Sequence, residues 1–531
     1  MADGLLNKAS IILTPTGYKA GTLYNVAPVV EPYEDFDFAR ASVASRVNSS
    51  GLVEMVGRTL SSEVLTNGDF STPGTPNSTS WSLGWTDPDS SGNVSISSGQ
   101  VSVTRVTSST KLRASNGSNS SNVLTSGKKY KLTYTVVSND TGTGTASGFI
   151  AIFGAGDIFI PTSVGTHTVY AEAVGTFLTL RLDGQNNSII VLDNVSLKEI
   201  IDTNNIPRIS YDSNGANGHI LLEPTSTNLV TYSEDFSQSF WNQTTADVTV
   251  TTNTNPSGTS GTYSVKRVTG SQLGASFTVT SGNDYTASWY VRNISGSGAI
   301  IIKDTNNSTN NFTATSEWQR FSVTATASSA TGRCYIQVST VNDVIEVWGA
   351  QFEEGSYATS YIPSLTGSQE VRATETATGA GSADLINSTE GVLYAEIADI
   401  TNDNLSDNNI ISISKSTDED FRVHIALKTN GTIQGFIREG AGNTKLDVSS
   451  TTVLPSTSFF KVAVLFESGN NKLYVNGLQI GSTNTSSFSN LQLNSLQFNR
   501  GDDDKIFYGK CKALAVFNEA LSDDELNNLT G

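Results

Sequence analysis

The chain has 531 residues, of which 37% are apolar and 15% charged, and 32 basic against 50 acidic side chains leave a net charge of −18. At roughly 150 residues per domain that is three or four folded units. The negative balance excludes a nucleic-acid backbone binder, disfavours an anionic membrane surface and suits a soluble exterior protein. No apolar run approaches the roughly 18 residues of a membrane-spanning helix. Asn, Ser, Thr and Gly stand where charge is missing, a mix that suits sandwiches with long polar loops rather than helix bundles. Cys334 and Cys511 lie far apart and read as free thiols.

In chain order, residues 1–56 carry too few strand signals to bury a core of their own and read as an extended arm that docks on another surface. Met1 to Ser10 has no basic region leading into a long apolar stretch, and Ile11-Ile12-Leu13 stops at Thr14-Pro15, so no secretory leader is expected. Apolar and polar residues then alternate over 131–137, 286–291, 321–326 and 472–475, the period-two pattern of half-buried strands. Asn476-Gly477 between Leu473-Tyr474-Val475 and Leu478-Gln479-Ile480 predicts a hairpin. Helix is scarce. The best case starts at Ser522, which forms a capping-box pattern with Glu525. The expected fold class is all-β: three tandem β-sandwich (jelly-roll) modules behind an extended N-terminal arm.

Two stretches repeat one another. One opens with Asn67-Gly68-Asp69-Phe70-Ser71 and closes with Val191-Leu192-Asp193-Asn194-Val195. The other opens with Ser233-Glu234-Asp235-Phe236-Ser237 and closes with Glu346-Val347-Trp348-Gly349-Ala350. Trp81 and Trp85 follow the first opening and Trp241 the second. Both stretches, 65–200 and 228–363, resemble jelly-roll carbohydrate-binding modules of the family 4/9/22 type. The last 145 or so residues, from Gly391-Val392-Leu393-Tyr394 through the hairpin at 476 to Asp523-Asp524-Glu525-Leu526, resemble a concanavalin A-like, laminin-G-type domain. Phe36-Asp37-Phe38-Ala39-Arg40-Ala41-Ser42, Ile206-Pro207-Arg208-Ile209-Ser210-Tyr211, Leu221-Leu222-Glu223-Pro224 and Gln351-Phe352-Glu353-Glu354-Gly355-Ser356-Tyr357 look like phrases of phage tail-fibre-like structural proteins. The division is then an anchoring arm at 1–56, a jelly roll at 57–204 inserted into a linker, a linker at 205–227, a second jelly roll at 228–365, a linker at 366–384 and a laminin-G-type sandwich at 385–531.

No constellation for chemistry stands out. His167, His219 and His424 lie one per region without metal spacing, and adjacent acids such as Glu234-Asp235 and Glu353-Glu354 point to opposite faces of a strand, unlike a glycosidase pair. The carbohydrate-module resemblance implies one structural Ca²⁺ between an early and a late acid: Asp69 with Asp193 in the first module, Glu234 or Asp235 with Glu346 in the second. Oxygen ligands suit that ion. Asp502 and Asp504 sit in an oxygen-rich loop of the last module that would hold Ca²⁺, meet a ligand or form a charged hairpin tip. Sugar binding uses aromatic platforms. Trp81 and Trp85, in a loop rich in Ser, Gly and Pro, are the candidates, whereas Trp289 and Trp348 read as core.

The resemblances imply a non-enzymatic phage virion structural protein, a tail or head fibre or decoration protein on the virion exterior. It would bind other virion proteins through the arm and host surface glycans through its modules, as a trimer or dimer. A polysaccharide depolymerase with accessory binding modules, a purely structural connector and a bacterial adhesin stand as alternatives.

Overall fold

The structure is a computed structural model that describes the chain apart from residues 1–4, 27–33, 107, 141–148, 155–156, 184, 244–245, 268–271, 401–408, 417 and 452–457. The single α-helix among the described residues is Asp523–Thr530. Ser522 caps it: its hydroxyl accepts from the Glu525 amide, and Glu525 accepts in return from the Ser522 amide at 2.9 Å. The Asn476-Gly477 turn joins Asn471–Val475 to Leu478–Asn484 with Val475 opposite Leu478, as the pattern predicts. All other regular structure is strand apart from short 3₁₀ turns.

Three two-layer sandwiches hold three separate cores. In the first, the sheet Gly165–Glu172, Lys129–Asp140, Ile189–Asp202, Gln100–Thr104, Val94–Ser97 faces the sheet Asp157–Phe159, Phe149–Phe153, Leu178–Leu182, Thr110–Ala114, Trp85–Thr86. Alternation along Lys129–Asp140 sends Tyr130, Leu132, Tyr134 and Val136 inward and leaves Lys131 and Thr133 on the outer surface. The second sandwich has the same strand order. Gln319–Thr326, Asp284–Ser295, Val344–Glu354, Ser260–Arg267 and Ala246–Thr254 face Thr309–Thr313, Ala299–Lys303, Thr331–Val338 and Leu273–Thr278. The repeat read from the openings and closures is thus a repeat of topology. In the third, Gly509–Phe517, Glu390–Ala398, Phe460–Glu467, Asn471–Val475 and Leu478–Asn484 pack on Thr444–Ser449, Ile433–Glu439, Asp418–Leu427, Asn409–Lys415 and Ser495–Gln497.

The segments read as arm and linkers have a different role from the expected one. Ala9–Leu13 joins the edge of Gly509–Phe517 with Leu13 opposite Leu514, and His219–Leu222 continues the same edge with Ile220 opposite Cys511. Phe36–Ala39 pairs with Thr376–Thr378. Ile11, Leu13, Phe36, Phe38, Ile220, Leu222 and Ala377 are all buried in the third core. Much of the N-terminal stretch and parts of both linkers therefore complete the C-terminal sandwich. The reason is burial: each piece is too short to hold a core, but each presents one or two apolar side chains to one that exists.

At Gly57 the chain turns into the first sandwich, and it returns at Thr203, whose amide donates to the Gly57 carbonyl at 2.7 Å. Arg58–Leu60 pairs antiparallel with Ile200–Asp202. Gly57 has φ +89°, and a Cβ there would stand 2.2 Å from the Thr203 carbonyl oxygen, so the position demands glycine. The two ends of the 57–204 stretch are side by side, the geometry that lets a domain sit in a loop.

A charge cluster lies where the second sandwich, the third and these connecting segments meet. Glu375 accepts from Arg40 at 2.5 Å and from Arg208 at 2.9 Å. Glu223 is 2.9 Å from Arg208 and 3.1 Å from Arg372. All five side chains are fully enclosed. Burial pushes the Glu223 carboxyl up, but Arg372 and Arg208 outweigh it and hold the group at about 2.

Candidate functional site

The residues singled out for ligands separate into those the fold uses internally and those it leaves at a surface. Trp85 belongs to the first group. It is fully buried, its ring lies 5.6 Å from Phe70, and its indole N–H donates to the Asn67 carbonyl at 2.9 Å. Trp241 repeats this arrangement in the second sandwich, 5.0 Å from Phe236 and donating to the Tyr232 carbonyl. The expectation of an exposed platform at Trp85 is corrected accordingly: the opening turn folds the ring into the core, and no face is left for a sugar. Trp81, in the 3₁₀ turn Trp81–Leu83, stays half-buried. Trp289 and Trp348 are buried, the latter against Val53 and Tyr361.

The expected Ca²⁺ ligands each have hydrogen-bond or ion-pair partners within the chain. Asp69 accepts from the Ser71 amide and hydroxyl, and Asp235 from the Ser237 amide and hydroxyl, so both acids cap the same opening turn. Asp193 caps the Asn194 amide at 2.6 Å. Glu346 stands opposite Ser264 on the outer face and pairs with Arg292 at 2.7 Å. Asp235 instead accepts from the Tyr263 hydroxyl at 2.6 Å, and Tyr263, opposite Val347, belongs to the core face. Neighbouring residues of a strand point to opposite faces, which separates the two acids. Asp502 and Asp504 both converge on the Arg500 guanidinium, which also meets Glu419 at 2.8 Å. Arg500 supplies the positive charge a cation would bring. Among the described residues no three His, Cys, Asp or Glu side chains form a metal-ligating group.

The structure instead brings together residues that sequence reading treated separately. A cleft of about 300 Å³ opens between the first and second sandwiches. One wall is the outer face of Lys129–Asp140 and Gly165–Glu172, with Lys131, Thr133, Thr168 and Tyr170. The other holds Tyr232, Glu234, Asp235 and Tyr263 from the second sandwich, with Ser364 and Thr366 beyond its last strand. Lys129, from the first sandwich, pairs with Glu370 beside this wall. Burial pushes the Glu234 carboxyl up to about 7, against the hydrogen bond of Tyr361 and the charges of Arg58 and Lys131. The Tyr361 hydroxyl donates to it at 3.0 Å. The Ser364 hydroxyl is wholly buried and has no hydrogen-bond partner, and the buried Thr366 hydroxyl has none either. The one sequence signal for this cleft is the outward threonine and lysine run of 131–135. It carries no hint of its partner wall, about a hundred residues on.

Comparison with known proteins adds the following. Residues 399–527 match the family model of the concanavalin A-like lectin/glucanases superfamily. No curated protein sequence matches the chain. Among solved structures, CBM40 of the Ruminococcus gnavus IT-sialidase, bound to alpha2,3 sialyllactose, is 18% identical over 28% of this chain and 86% of its own, with a TM-score of 0.25. Domain 4 of AbnA, a GH43 extracellular arabinanase from Geobacillus stearothermophilus, in complex with arabinotriose, is 14% identical over 30% of this chain and 73% of its own, with a TM-score of 0.24. A heptameric SAP-like pentraxin from Limulus polyphemus is 14% identical over 27% of this chain and 70% of its own, with a TM-score of 0.23. Likenesses of this extent say nothing of what this chain binds. The C-terminal sandwich is a concanavalin A-like domain.

Proposed function

We propose that this chain is a non-enzymatic structural protein of a phage virion exterior, a tail or head fibre or decoration protein, that attaches to host surface glycans through its sandwich modules. The observation that carries the reading is the match of residues 399–527 to a lectin and glucanase superfamily within a chain otherwise built of two further sandwiches. The phage-like phrases support the virion part: Arg40, Arg208 and Glu223 come from three of them and meet in one buried cluster. Attachment rather than catalysis is supported by what the reactive side chains do. Burial holds His219 at about 4 and His424 at about 3 and pushes the Cys334 and Cys511 thiols well up, so these four are poor acid–base groups or nucleophiles at neutral pH. Assembly as a trimer or dimer would turn weak sites into avidity.

The test is binding of the full-length protein to a glycan array and to host cells, with light scattering for the oligomer and cryo-electron microscopy of the particle for its location. Binding with no release of reducing ends from host capsule is the expected result. Repeated oligosaccharide release would replace attachment with depolymerisation. A blank array, with the protein still needed for particle assembly, would leave a connector.

A further inference from the structure

We infer that the cleft between the first and second sandwiches is a binding site for a short, neutral oligosaccharide, an inference that rests on the glycan-attachment reading and gives it a location and a ligand class. The volume, about 300 Å³, is at the lower end of small-molecule pockets, which run from roughly 300 to 1,000 Å³, and takes a terminal sugar or a short chain rather than a long polymer.

The chemistry of the walls selects the ligand. Tyr170 from one module and Tyr232 from the other supply amphipathic ring faces, the surface on which a pyranose C–H face packs. The rest of the lining is rich in short hydroxyl side chains, among them the exposed Thr168 and the half-buried Thr251. Sugar hydroxyls both donate and accept, which suits such a lining. Asp235 and the only partly ionised Glu234 stand against Lys131 in the lining, so it has no excess of positive charge to hold an acidic sugar. A sialic acid or uronate would bring a further negative charge against them, and like charges at close quarters are disfavoured. Neither module holds the site alone, because each contributes one wall. The arrangement of the two modules, set at Gly57 and Thr203, is therefore part of the specificity.

The experiment uses the full-length protein on an array of neutral oligosaccharides (glucose, galactose, mannose, rhamnose and N-acetylglucosamine types) and of sialylated and uronate-bearing ones. It compares wild type with Thr168→Trp, which fills the cleft from an exposed strand position, and with Tyr170→Ala. Val174→Ala, at an exposed position of the first sandwich outside the cleft lining, is the control, and thermal unfolding verifies that each variant folds. The expected result is neutral-glycan binding that falls at least tenfold in both cleft variants and is unchanged in Val174→Ala. Undiminished binding in both folded cleft variants would overturn the site while leaving glycan attachment standing. Binding confined to acidic glycans would overturn the ligand class. A wild-type protein that binds no glycan on the array or on cells would remove the attachment reading itself, and this inference with it.

Discussion

Two contacts between parts of this chain use polar residues in opposite ways. At the junction of the second and third sandwiches, Arg40, Arg208, Arg372, Glu223 and Glu375 are sealed from solvent and joined by ion pairs. Between the first and second sandwiches, Lys131, Glu234 and Tyr170 line an open cleft, and two hydroxyls have no partner. A buried ion pair is poor as a source of net stability but costly to break, so the first contact specifies one arrangement. A cleft with unmet hydrogen-bonding groups specifies nothing internally and keeps its capacity for a ligand.

The largest effect expected from breaking this contrast is at Glu375. Glu375→Ala strands Arg40 and Arg208 in a sealed interior and should cost about 3–5 kcal/mol in denaturant unfolding. A loss below about 1 kcal/mol would show that the cluster does not hold the junction. Next is Ile11, fully buried in the third core. Ile11→Ala should cost about 2–5 kcal/mol, and an unchanged unfolding midpoint would mean that the N-terminal strand does not belong to the C-terminal sandwich.

The cleft gives a smaller, pH-dependent effect. Glu234 is held at about 7, above its ordinary 4.5, so folding favours its protonated form. Its contribution is fully present below pH 4.5 and lost as pH rises through 7. At about 1.4 kcal/mol per pH unit of difference, this loss is at most about 3.5 kcal/mol, less with solvent screening. Glu234→Gln should thus be more stable than wild type at pH 8 and equal to it near pH 4.5. Comparing the two proteins at each pH cancels His219 and His424, whose depressed values destabilise both alike on acidification. A constant difference across that range would show that Glu234 is not buried as described. The smallest effect calibrates the others at a place belonging to neither contact. Ser522→Ala removes a helix cap and should cost about 1 kcal/mol.

Local patterns were legible where a residue's partner lies nearby in sequence or where period two decides which face is buried. The hairpin at 476, the cap at Ser522 and the inward set of Lys129–Asp140 are of this kind. Trp85 is legible through the repeat, because like Trp241 it follows an opening phenylalanine and packs on it. The partners of the acids were not legible, for another reason. Asp502, Asp504 and Glu346 take their meaning from Arg500 and Arg292, and loop composition does not reveal which guanidinium will meet which carboxylate. Nor does any pattern announce that Ile11, in a segment of short strands, pairs across the whole length of the chain with Val516.

By itself, the amino-acid sequence determined that this chain is β-rich and that two of its stretches repeat one another, because alternation, turn chemistry and opening phrases act over a few residues. Only the tertiary structure decided that the arm and linkers complete a core, that five charges lock one junction and that a polar cleft opens at another. Those outcomes depend on groups brought together from distant parts of the chain, where burial sets the cost of an unpaired charge or hydroxyl and geometry sets whether it is met.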